Sequence, residues 1–180
     1  MRETKKIAMS ALLVALGVVF MTAGAYIEAL DLTAAALSSV IMVLVYIEIG
    51  APYTYLVWLL TSLLGFVFFP GSAVWLEYFL VFGIFPILKA YIEKLPRPTW
   101  LLIKVSYANI TFLVLFWLME NLLGMPFDTG ESIFGITGKP LIVFVWLIMN
   151  IAFFAYDMLL SLVARIYVYK YRGRFKNFFK

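Results

Sequence analysis

Six runs of mostly apolar, nearly uncharged residues succeed one another along this chain, each about as long as the ~20 residues that a helix needs to cross a bilayer. They cover residues 6–29, 32–50, 53–69, 72–91, 99–123 and 140–168, and are separated by Asp31, Ala51-Pro52, Pro70-Gly71, the stretch 93–98 and the stretch 124–139. With 65% apolar and 13% charged residues in a chain of 180, these runs could not all face water or a single soluble core. The first run is too long for the apolar part of a cleaved signal and leads directly into the second, so it is expected to remain as a helix.

The basic residues give the runs a direction, because Lys and Arg collect on the cytoplasmic side of membrane proteins. With the N-terminus inside, 13 of the 14 fall on the inner face. These are Arg2, Lys5 and Lys6, then Lys89, Lys94, Arg97 and Lys104, then Arg165, Lys170, Arg172, Arg174, Lys176 and Lys180, which leaves Lys139 outside. The sequence therefore predicts an all-α, polytopic membrane protein. It forms one six-helix bundle over residues 1–180, with both termini cytoplasmic. The tail from Arg165 to Lys180 interleaves its cations with Tyr167, Tyr169, Tyr171, Phe175, Phe178 and Phe179. That pattern suits anionic lipid headgroups and is read as a membrane anchor, not a nucleic-acid surface.

The chain has neither cysteine nor histidine. Thiolate chemistry, His-paired nucleophiles and the usual transition-metal sites are thereby removed. Asp31, Asp128 and Asp157 are too far apart for the clustered aspartates of a metal-dependent lipid transferase, and there is no Gly-rich phosphate loop. No enzyme, metal site or cofactor is expected.

Ionisable and amide side chains at membrane depth are costly and should face the bundle interior. On the fifth run Ser106, Asn109, Leu113, Trp117 and Glu120 recur at spacings of three and four; on the sixth, Trp146, Asn150, Phe153, Asp157, Ser161 and Arg165 do the same. Near the cytoplasm Glu48, Asp157, Lys89 and Lys104 lie at similar depth and are expected to neutralise one another. At the outer end Glu28, Asp31, Glu77, Glu120, Asp128 and Glu131 face a lone Lys139. Glu77 and Glu120, with Trp75, Tyr78, Trp117 and Trp146, would line an acidic, aromatic pocket together with Asn150, suited to a neutral or cationic flat ligand. The other reading of the same residues is an ordinary interfacial belt of Trp and Tyr with carboxylates in headgroup water. The long connection 124–139 carries Ile133, Phe134 and Ile136 in its middle and is expected to fold back as a lid.

The first run places Ala8, Ala11 and Ala15 on one helical face near the cytoplasm, a spacing that lets another helix approach closely, in the chain or in a partner. The basic Thr-Lys-Lys start, this alanine seam, six spans in about 180 residues, termini inside and a long fifth loop together resemble the substrate-binding S components of energy-coupling factor (ECF) vitamin transporters. The resemblance implies a subunit that captures a micronutrient on the outside. It also implies docking, through Ala11 and Ala15, on a transmembrane coupling subunit driven by two ATPases. The substrate would then be covered by the first, third and fifth loops, here 28–31, 70–75 and 124–139. The chain begins Met1-Arg2 and lacks the Met-His start of the nickel and cobalt members, which disfavours metal transport, and no signature of a particular vitamin is present. A competing reading is a structural subunit of a cell-envelope complex, similar to the MreD-like proteins, which would hold no ligand and would fill its outer half with side chains.

Overall fold

A computed structural model describes residues 3–125 and 136–175, without the side chains of Glu28, Arg174 and Phe175. The expected lid centred on Ile133 and Phe134, the acids Asp128 and Glu131, and the tail residues Lys176, Phe178, Phe179 and Lys180 lie outside the described residues, as does Arg2.

Among the described residues six helices are long and apolar enough to cross a membrane: α1 (Glu3–Tyr26), α2 (Asp31–Glu48), α3 (Ala51–Phe68), α4 (Val74–Ile92), α5 (Arg97–Leu122) and α6 (Lys139–Tyr171). Each boundary falls within three residues of the run read from the sequence. The stops have local causes. Gly50 adopts φ +109°, a conformation L side chains avoid, and ends α2; Pro52 then occupies the first turn of α3, where its missing N–H costs nothing. Pro98 and Pro140 open α5 and α6 in the same way, the latter just after Gly138 at φ +67°.

Two apolar cores share α2 and α4. The first joins α1, α2, α3 and the start of α4 through Met21, Ala35, Met42, Val45, Val57 and Val74. Here the backbones approach closely because α1 turns glycine inward: Gly17 faces Ser38 and Thr61, and the Ser38 hydroxyl donates to the Gly17 carbonyl at 3.1 Å. The second core joins α2 and α4 to α5 and α6 through Val81, Phe85, Phe112, Phe153 and Tyr156, with Phe85 and Phe153 ring centres 4.6 Å apart. Outside both cores, Leu12, Val19, Leu102, Ile110, Ile151 and Met158 are exposed, an apolar jacket that a bilayer would cover.

α4 is not a continuous α-helix. Residues Tyr78–Phe82 form a π turn, closed by a 2.6 Å bond from the Gly83 N–H to the Tyr78 carbonyl, and Pro86 has no N–H to offer the Phe82 carbonyl one turn back. Carbonyls left over in a dry setting need donors, and three other helices supply them. The Trp58 indole of α3 donates to the Phe79 carbonyl (3.2 Å), the Tyr107 hydroxyl of α5 to that of Leu80 (2.6 Å), and the Tyr156 hydroxyl of α6 to that of Phe82 (3.0 Å). The Tyr156 hydroxyl also shares a 2.6 Å hydrogen bond with Ser39 of α2.

Candidate binding site

Where α1 ends, α2 begins and α3 turns into α4, a cavity of about 590 Å³ opens in the acidic end of the bundle. That volume is within the roughly 300–1,000 Å³ of small-molecule sites. Tyr26, Asp31, Phe69, Gly71, Ser72 and Ala73 line it, with Met119 and Met125 from the α5 end. The first and third connections thus contribute directly. Gly24, also in the wall, keeps α1 against α2: a Cβ there would sit 2.7 Å from the Ala34 Cβ and 3.1 Å from the Asp31 Cα. Tyr26 and Phe69 meet edge to face, ring centres 6.2 Å apart.

Glu77 lies one helical turn deeper than Ala73, its N–H bonded to the Ala73 carbonyl at 3.0 Å, so the two share a face of α4. It is 4% exposed, and among the described residues its Oε2 is buried without a hydrogen-bond partner. Tyr78, beside it, is completely buried, and its hydroxyl and that of Thr61 also lack hydrogen-bond partners among the described residues.

The remaining residues expected in the pocket go elsewhere, and none of the seven lines the cavity; the Trp75 indole donates to the Pro70 carbonyl at 3.3 Å. Trp146 and Asn150 of α6 close on Asn109 of α5: the indole donates to the Asn109 Oδ1 at 2.6 Å, and the Asn109 amide donates to the Asn150 Oδ1 at 3.2 Å. Asn150 returns its own amide to the Trp146 carbonyl at 2.9 Å, so these polar groups satisfy one another between two helices. Trp117, Glu120 and Leu113 do not face inward as expected; all three are exposed, Trp117 at 62%. The reason is azimuthal. α5 turns Lys104, Ala108, Phe112 and Leu115 to the bundle, because Lys104 must reach an acid and Phe112 the aromatic core, so Ser106 at one end of the polar stripe and Leu113, Trp117 and Glu120 toward the other are carried outward. On α6 the expected face is the inward one, with Phe153 buried and Asp157 nearly so.

At the opposite end of the bundle the charges pair as a quartet. Lys104 reaches both oxygens of Asp157 (2.9 and 2.8 Å) and Glu93 (2.8 Å); Lys89 bonds Glu93 at 2.7 Å and also Asp157. Both lysines are buried, and their pairing with the Asp157 and Glu93 carboxylates offsets the cost of holding these charges there. Glu48, expected in this group, is not in it; it accepts a 3.1 Å bond from Arg172 beyond the end of α6. Burial alone would push the Glu93 carboxyl up, but the hydrogen bonds and charges of Lys104 and Lys89 outweigh it and hold the group below its ordinary value.

Ala8, Ala11 and Ala15 are all exposed, side by side with Leu12 and Leu16, while the glycines of α1 supply the close packing inside. The seam is therefore not consumed by the chain's own bundle among the described residues. The cavity lining was hidden in the sequence because Tyr26, Phe69, Met119 and Met125 sit at run ends, where any interfacial belt would place such residues. No family model, curated protein or solved structure matches the chain.

Proposed function

We propose that this protein is a substrate-capture subunit similar to the S components of ECF transporters. In this reading it sits in the plasma membrane of a prokaryote with both termini and the basic end cytoplasmic. It binds a micronutrient, a small neutral or cationic heterocycle, at the acidic end, and its cavity is the observation that carries the reading. A small-molecule-sized void between the connections of a six-helix bundle is what a receptor keeps and a scaffold fills. The exposed face of Ala8, Ala11 and Ala15 on α1 supports the partner half of the reading: a transmembrane coupling subunit could pack closely there and pass on the work of two ATPases. The chain itself performs no chemistry in this scheme. The MreD-like alternative gains from the closed Trp146–Asn109–Asn150 group, which packs one part of the bundle as a scaffold would, but it leaves the cavity without a purpose.

The test is mass spectrometry of small molecules that copurify with the protein in detergent, combined with Ala11→Trp and Ala15→Trp. A bound small molecule that survives both substitutions, with uptake and complex formation lost, is the expected result. Absence of any bound solute, or unchanged uptake in both variants, would overturn the proposal.

A further inference from the structure

Glu77 is the polar group that the bundle leaves least provided for. An ionised carboxylate buried at this depth costs several kcal/mol without a counter-charge. Among the described residues no Lys or Arg pairs with it. The sequence has little else to send: the segment 126–135 holds no basic residue, and Lys139, the basic residue on this side, is exposed. Among the described residues the cavity wall offers no cation either; its charged side chain is another carboxylate, Asp31. Every other buried charge in the described chain is treated differently, as the Lys89–Lys104–Asp157–Glu93 quartet shows.

Ala73 lines the cavity, and Glu77 follows it one turn deeper on the same face of α4, behind the wall. Resting on the capture reading, we infer that Glu77, one turn beneath Ala73 of the cavity wall, is the counter-ion for a positively charged organic ligand. The charge would be a protonated amine or a ring nitrogen carrying a fixed charge. A bare metal ion fits less well. The described residues include no group of three or more acids that could hold one, and the wall sets the soft and aromatic side chains of Tyr26, Phe69, Met119 and Met125 beside Asp31 and Ser72. Aromatic faces attract organic cations, and 590 Å³ is far more room than a single ion needs.

The experiment compares the wild-type chain with Glu77→Gln, which keeps size and removes charge, and with Ala73→Leu, which narrows the cavity and leaves Glu77 in place. Copurifying solutes are identified, and binding of N-methylpyridinium, neutral toluene and benzoate is measured on the detergent-solubilised protein, with a thermal melt of each variant to establish folding. The expected result is an organic cation in the wild type, or binding of N-methylpyridinium over both other probes. Loss of at least tenfold in affinity is expected in Glu77→Gln, and a comparable loss in Ala73→Leu. A neutral or anionic solute, or a cation held equally well by folded Glu77→Gln, would overturn this inference while leaving the capture reading standing. No copurifying solute and no binding of any probe would overturn both. Should Glu77→Gln fail to fold, Ala73→Leu decides: undiminished cation binding there places the ligand elsewhere.

Discussion

A methyl group added at Gly83 would stand 2.7 Å from the Tyr78 carbonyl oxygen and 2.7 Å from the Trp58 ring, neither of which can step aside without disturbing the π turn. At Gly65 the nearest atom is the free end of the Met21 side chain, which can swing away. Replacing helix-interior glycine by alanine gains up to about 1 kcal/mol of backbone preference, whereas overpacking a rigid site costs about 1–3 kcal/mol. Gly83→Ala is therefore expected to lower the melting temperature in detergent clearly, and Gly65→Ala to change it little; equal effects would show that the turn yields. Glu93 makes a second residue-scale prediction. Its folded carboxyl titrates below the ordinary 4.5, so its stabilising contribution is full above that value and is lost as pH falls through the depressed one. The melting difference between wild type and Glu93→Gln should shrink as pH drops below about 4.5, and a pH-independent difference would refute it. That Asp157, Lys89 and Lys104 gather was legible in the sequence, since lone charges in lipid must pair. That Glu93 and not Glu48 joins them was not, because two acids at one depth can differ in azimuth.

α4 shows what an element can conceal. Its run contains Pro86, and a proline in a spanning helix announces that the carbonyl four residues earlier needs another donor. The sequence carries that signal; it does not say that Trp58, Tyr107 and Tyr156 would come from three different helices to answer it. Each of Trp58→Phe, Tyr107→Phe and Tyr156→Phe should cost about 1–2 kcal/mol, in line with polar contacts measured between membrane helices. Hydrogen exchange should rise in residues 78–84 with little change in α1. Exchange rising evenly over the whole chain would mean that the turn is not a local unit. α5 taught the opposite lesson. Its apolar residues run all the way round, and lipid accepts them as readily as a core does, so only the polar stripe suggested a direction. The stripe held at Asn109, where an interior partner exists, and failed at Ser106 and Leu113, which lipid or the helix's own carbonyls accept, and at Trp117 and Glu120, near the helix end, where water and headgroups are within reach.

At the scale of the molecule, the count and limits of the spans were readable because length against bilayer thickness is a strong constraint; the cavity was not, because a void is a property of several helices at once. Orientation can be tested cleanly, since the chain has no native cysteine to interfere. Gly71→Cys, in the α3–α4 connection, should react with a membrane-impermeant maleimide in intact cells, and Lys94→Cys, in the α4–α5 connection, only after permeabilisation. The reverse pattern would invert the topology and remove the capture reading with it.

The division of the interior into two cores bears on how such a chain is made. Translation emits the N-terminal half first, and domains tend to consolidate in that order. The first core draws mainly on three consecutive helices, so it can form while the ribosome is still working on the remainder. The interrupted helix then arrives with its bare carbonyls, one donor already waiting in Trp58 and the other two still unsynthesised. Between those moments the nascent protein holds a half-dressed segment in the bilayer, and that interval is where a biogenesis factor or a neighbouring lipid headgroup would have most to contribute.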